Sequence, residues 1–207
     1  MKRLIYEHKN SAEEYDRIFR ERAKKEPAWT DMRRWEKLIA KYRGGSILDI
    51  GCLDSQIPRL VVERFPNAEV WGIDIASQAM AALKAMPMPG NVFYVVMDLY
   101  EMKFKDGEFD YAVMGEVLEH LERPKSAVEE AVRVLRPGGT LAVSVPLNEA
   151  SEPGAVDAER HIWSYTIADL VSLLRPYGRV KTAVLGSRHF PRFRYAFPTA
   201  IAWLKKK

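Results

Sequence analysis

The chain predicts an α/β protein, a doubly wound sandwich whose mostly parallel sheet ends in a C-terminal antiparallel hairpin. Three observations carry this expectation. From residue 46 onward, short β-branched runs alternate with amphipathic helical stretches, the signature of βαβ crossovers in a parallel sheet covered on both faces. The last two strand-like runs have no helix between them and so pair as an edge hairpin. The 207 residues, 47% hydrophobic and 29% charged, suit one globular domain with a full core.

The elements follow in order. Residues 1–43 are charge-rich and helical in pattern, a segment set apart from a domain over 44–207. Ser11 and Glu14 form a capping-box pair ahead of "AEEYDRIFRERAKKE". Pro27 ends that helix, and Thr30 is placed to cap a second, "DMRRWEKLIAKY". Gly44-Gly45 punctuates the chain. "SILDIG" (46–51) then reads as the first strand, with Ser55 capping the helix "SQIPRLVVERF". "AEVWGID" (68–74) leads into "SQAMAALKA", and "NVFYVVMD" (91–98) follows. "FDYAVMG" (109–115) precedes "KSAVEEAVRVLR", and "GTLAVSVP" (139–146) precedes "TIADLVSLLRPYG". "GRVKTAVLG" and "TAIAWLKK" complete the hairpin. Right-handed crossovers wind these units into the sandwich.

Bulk properties exclude several classes. A net charge of +4 is mild and names no partner. Cys52 is the lone cysteine, which rules out a disulfide framework and points to a reducing cytoplasm. Apolar runs such as "VFYVVM" are too short to span a bilayer, and "MKRLIYEHKN" lacks the apolar core of a signal peptide. No repeat or low-complexity tract is present.

In doubly wound sheets, ligands sit beyond the carboxyl ends of the strands. The first strand ends in Asp49-Ile50-Gly51, where a glycine lets backbone approach a ligand beside a helix N-terminus. The second ends in Asp74-Ile75, one βαβ unit later, the place of an acid that accepts from ribose hydroxyls. The third ends in Asp98-Leu99, a carboxylate for an amino group and an apolar side chain for a ring. Singly, each acid reads equally well as a solvated turn residue; together they mark a binding edge. "GCLDSQ" is not G-x-G-x-x-G, so a dinucleotide pyrophosphate has no cradle here.

At these residues the chain resembles the class I S-adenosylmethionine-dependent methyltransferases, which have a Rossmann-like fold. The likeness spans roughly residues 44–185 and is carried by "ILDIGC", "VWGID", "VMDLYEMKFKDGEFDYAVMGEVLEHLERP", "AVRVLRPGG" and "LAVSVP". It implies that Asp49 and Gly51 hold the methionine end of S-adenosylmethionine, Asp74 with Ile75 the ribose, and Asp98 with Leu99 the adenine. Gly115 would pass its backbone beside the sulfonium. The family usually has glycines where this chain has Leu53 and Ser55, so the loop is expected to bulge or the cofactor to shift.

The acceptor side offers a second cluster. Glu116, Glu119 and His120 fall at i, i+3 and i+4, one face if "GEVLEH" is helical, and His161 lies in the segment after the fifth strand. Two carboxylates and two imidazoles suit a divalent metal ion. The arrangement is similar to that of metal-using methyltransferases of small-RNA ribose and of catechols in ubiquinone biosynthesis, and "HIWSY" resembles the H-x-W of the quinone group. The competing reading has no metal, with His120 as a general base and His161 holding the loop. His8 and His189 carry no motif and read as surface residues.

Arginines mixed with aromatics in "GSRHFPRFRYAFP" and the N-terminal "RIFRERAKK" fit nucleic acid, a membrane surface or a dimer contact. With +4 overall, nucleic acid is the minority reading, and a monomer or homodimer with peripheral membrane contact is compatible. The expected activity is methyl transfer to a small-molecule hydroxyl. The alternatives are a non-catalytic cofactor-binding relative and an RNA-directed enzyme.

Overall fold

The computed structural model describes residues 1–3, 11–22, 29–147, 161–186 and 198–207. Its seven-stranded sheet is built from β1 (Ser46–Ile50), β2 (Glu69–Asp74), β3 (Val92–Val96), β4 (Phe109–Gly115), β5 (Leu135–Pro146), β6 (Gly178–Leu185) and β7 (Thr199–Lys206). The strand order is β3-β2-β1-β4-β5-β7-β6. The first five strands run parallel, and β7 lies antiparallel to both β5 and β6. The expected edge hairpin is therefore present, with its second strand inserted between β5 and β6.

Alternation along the strands makes two cores. Leu48, Ile50, Met114 and Val143 face one layer, which α5 (Pro124–Val134) and α6 (Ile167–Leu174) cover through Val128, Val132, Leu170 and Leu174. Ile47, Tyr111, Val113 and Trp203 face the other, covered by Trp35 and Leu38 of α2 (Trp29–Leu38) and by Ile57 and Val61 of α3 (Ile57–Arg64). A third cluster joins Ile18 and Phe19 of α1 (Ala12–Arg22) to Ala79, Met80 and Leu83 of α4 (Ser77–Ala85).

Local expectations meet their physics element by element. Ser11 Oγ accepts the Glu14 N–H at 3.3 Å, as the capping pair implies. Pro27 lies outside the described residues, as do His8 and His189 and most of the 186–198 segment. Helix α2 begins at Trp29, so Thr30 stands inside the helix and not before it. Strand β5 begins at Leu135, so "LRPGG" is part of the strand: Leu135 pairs with Phe109, and pairing resumes only at Thr140 opposite Tyr111. The intervening residues bulge out of the ladder, which a period-2 reading cannot register.

Candidate cofactor and acceptor site

The parallel strands β1 to β5 bring their carboxyl ends to one edge of the sheet. There the first turn shows how the chain manages without its usual glycines. Gly51 keeps the left-handed conformation at φ +70°, and an added Cβ would stand 2.7 Å from Val117 Cγ2. Leu53 also takes a positive φ of 30°. Its side chain turns away from the cleft into the cluster containing Ile18, Phe19 and Met80. The turn accommodates the leucine by burying its side chain, at the expense of backbone strain. Ser55 supports the helix from one position earlier than a standard cap, its Oγ accepting the Ile57 N–H at 3.1 Å.

Asp49 and Asp74 are buried at this edge. Burial pushes the Asp49 carboxyl up to about 7, with Ser55 opposing and the neighbouring Asp74 reinforcing the shift. Its Oδ2 is buried and accepts no hydrogen bond among the described residues. Asp74 is also raised by burial, against the pull of backbone N–H donors. Oδ2 of Asp74 accepts the Leu53 N–H at 3.0 Å, and Oδ1 accepts the Ala76 N–H at 2.9 Å. Ile75 is partly exposed beside it. Asp98 is exposed and accepts the Tyr100 N–H at 2.8 Å, while Leu99 packs against the core. At the end of β4, a Cβ on Gly115 would meet Leu38 Cδ1 at 3.0 Å, so its packing neighbour is α2.

The stretch after β4 departs from the helical face expected of it. Glu116 adopts φ +57°, and only Leu118–His120 form a short 3₁₀ turn. Glu116 and Glu119 therefore do not share a helical face. Ser144 Oγ donates to the Glu116 carboxylate at 2.7 Å and accepts its backbone N–H at 3.2 Å. Arg34 Nη1 lies 3.8 Å from the same carboxylate. Glu119, His120 and His161, by contrast, do converge: each offers a ligand atom within 4.8 Å of the others. Glu119 and His161 are buried, and the two imidazoles meet edge-on with centroids 4.6 Å apart. Hydrogen bonds to three backbone carbonyls bring His161 here. The Ile162 N–H donates to the Glu119 carbonyl at 2.6 Å, Trp163 Nε1 to the Leu121 carbonyl at 2.8 Å, and the Tyr165 hydroxyl to the Leu118 carbonyl at 3.3 Å.

Sequence reasoning missed Arg34, Ser144 and the whole of α1 as neighbours of the site. Tyr15 of α1 meets His120 edge-on at 6.2 Å, and no motif in "EEYDRIF" announces it.

Comparison with known proteins agrees with this architecture. Residues 48–143 match a family described as a methyltransferase domain. The ubiquinone biosynthesis O-methyltransferase of Alkalilimnicola ehrlichii is 36% identical over 109 residues, covering 51% of this chain and 43% of that protein. The malonyl-[acyl-carrier protein] O-methyltransferase of Methylococcus capsulatus is 30% identical over 168 residues, covering 77% and 59%. The chain thus spans about half the length of these curated relatives. A solved structure of the Burkholderia thailandensis 1,6-didemethyltoxoflavin-N1-methyltransferase, with bound 1,6-didemethyltoxoflavin and S-adenosylhomocysteine, shares the fold at a TM-score of 0.70 and 18% identity, covering 99% of this chain and 94% of that one. Fold, strand-end acids and the matched residues lead to one conclusion: residues 48–143 carry a methyltransferase domain, and the chain is similar to S-adenosylmethionine-dependent methyltransferases.

Proposed function

We propose that the protein transfers the methyl group of S-adenosylmethionine to a hydroxyl of a small molecule, with Glu119, His120 and His161 gripping a divalent cation at the acceptor. The observation that carries the reading is the convergence of those three side chains at the same sheet edge as Asp49 and Asp74.

The cofactor-side residues fit the cofactor. The buried, unpaired Oδ2 of Asp49 suits a positively charged group, because a nearby cation favours the ionised carboxylate that burial disfavours. Asp74 retains lone pairs for ribose hydroxyls beyond its backbone donors. Asp98 and Leu99 serve the adenine, Ile75 packs near the ribose, and Gly51 and Gly115 keep the backbone slim beside the methionine end. Bound S-adenosylmethionine supplies an electrophilic methyl group, and the protein's share is positioning and exclusion of water. With its lone pair on a cation His120 would be no base, so the role of taking the proton of the attacking hydroxyl belongs to the reading without a metal.

The donor set on this side also fits a cation. One carboxylate and two imidazoles are a common ligand trio, and Glu119, His120 and His161 would hold the ion. Such a cation would supply Lewis acidity, lowering the pKa of an acceptor hydroxyl. Glu116, tied to Ser144, stands outside the trio. The second reading keeps His120 as a lone base, supported by its edge contacts with Tyr15 and His161.

Calorimetry with S-adenosylhomocysteine tests the cofactor half; no heat of binding at millimolar ligand would end the reading. Turnover on catechol-like and other hydroxyl acceptors tests the rest. Chelator should abolish turnover, and manganese or magnesium should restore it. If chelator has no effect and Glu119→Gln is mild while His120→Ala is inactive, the lone-base reading stands. A protein that binds the cofactor but turns over no acceptor would be a binding subunit.

A further inference from the structure

Helix α1 lies outside the matched domain, yet it supplies what the cofactor-side turns lack. Helix α4 starts without a side-chain cap of its own, because Ala76 stands at the N-cap and has no oxygen to offer. Asp16 fills that role from across the chain. Its Oδ1 accepts the N–H groups of Gln78 at 2.8 Å and Ala79 at 3.1 Å, and its Oδ2 accepts from Ser77 Oγ at 3.4 Å. Asp16 is only 4% exposed, and an acceptor so placed satisfies orphan donors at the positive end of the helix. The other departure, Leu53 in place of glycine, is met by the same helix, since Leu53 is buried with Ile18 and Phe19.

Both turns converge on one side chain. Asp74 is held by the Leu53 N–H and by the Ala76 N–H, the latter at the mouth of α4. Both of these donors sit on turns that α1 packs against, beside a third backbone donor from Ile75. We propose that Asp16 is a positioning residue of the cofactor site: by capping α4 it fixes the Ala76 N–H and thereby the orientation of Asp74, so that α1 is a working wall of the cleft. This inference rests on the reading of Asp74 as an acceptor for the cofactor's hydroxyls. Without Asp16 the first turn of α4 frays, the Ala76 donor drifts, and Asp74 loses its fixed rotamer.

The test is S-adenosylhomocysteine binding by calorimetry on the full chain, with thermal melting to confirm folding. Asp16→Ala should weaken binding about 5- to 20-fold, the size of a lost cap transmitted to one contact. Asp16→Asn keeps an oxygen for the two N–H groups and should stay within about threefold of wild type. In an Asp74→Ala background, Asp16→Ala should cost little more, because the residue acts through Asp74. Unchanged binding in Asp16→Ala, or an equal loss with and without Asp74, would overturn the proposal. If Asp16→Ala melts below the assay temperature, Asp16→Glu, which keeps the charge and misplaces the oxygen, is judged by the same two criteria. A wild-type protein that binds no S-adenosylhomocysteine would overturn the functional reading itself, whereas wild-type binding that is indifferent to Asp16 would remove this inference alone.

Discussion

Leu53 and Gly51 stand two positions apart and solve the same backbone problem differently. Gly51 adopts its left-handed φ without strain, whereas Leu53 holds φ 30° with a Cβ in place. What keeps Leu53 there is burial with Ile18, Phe19 and Met80, a side-chain transfer that stabilises by about 1.5–3 kcal/mol. The two terms give an inverted expectation. Replacing leucine by alanine forfeits the packing and retains the strain; replacing it by glycine forfeits the packing and relieves the strain. Leu53→Gly should therefore be less destabilising than Leu53→Ala, by about 1 kcal/mol, the reverse of the usual order at a helical or extended position. Urea denaturation of the two variants reads the difference directly. Alanine proving the milder change would mean that the backbone here is not strained.

At the scale of elements, the acceptor side is assembled from two segments that share no regular secondary structure. The 3₁₀ turn Leu118–His120 and the segment 161–165 are joined by hydrogen bonds to the carbonyls of Leu118, Glu119 and Leu121. The donor nearest the cluster is the Ile162 N–H, at 2.6 Å from the Glu119 carbonyl. Proline has no such donor. Ile162→Pro should separate His161 from His120, lowering turnover at least about tenfold, since displacement of about 1 Å is enough to cost that much. S-adenosylhomocysteine affinity should stay within about threefold, because Asp49 and Asp74 sit on other elements. An equal loss of both properties would show that the two halves of the edge are one cooperative unit.

For the molecule as a whole, the buried acids make stability depend on pH and on ligand. The Asp49 carboxyl is raised to about 7 in the folded protein by burial, against about 3.9 in an unfolded chain. Between these values the folded state binds the extra proton, so stability falls as pH rises, by up to about 1.4 kcal/mol per pH unit, and levels off above about 7. The apo protein should accordingly melt at a lower temperature at pH 7.5 than at pH 5.5, and Asp49→Asn should flatten that slope. A cationic ligand prefers the ionised carboxylate, so S-adenosylmethionine affinity should rise through the same pH range. A pH-independent difference between wild type and Asp49→Asn would place the shift elsewhere.

The sandwich and its hairpin were legible because hydrophobic period and strand-helix alternation are local signals, and because no helical pattern separates the last two strands. The acids Asp49, Asp74 and Asp98 were legible as strand-end positions for the same reason. The geometry around "GEVLEH" was not. Its i, i+3, i+4 spacing fits a helix, but Ser144, reached only across the β4–β5 ladder, holds Glu116 at a left-handed φ and turns its carboxylate aside. Asp16 was equally hidden, since a cap ordinarily precedes its own helix and this one arrives from a different helix. The sequence by itself determined the order of the elements and the residues at their ends, because backbone preference and burial act over a few positions. Which side chains meet there was decided only by tertiary structure, because those contacts join residues far apart in the chain that become neighbours only when the helices close over the sheet.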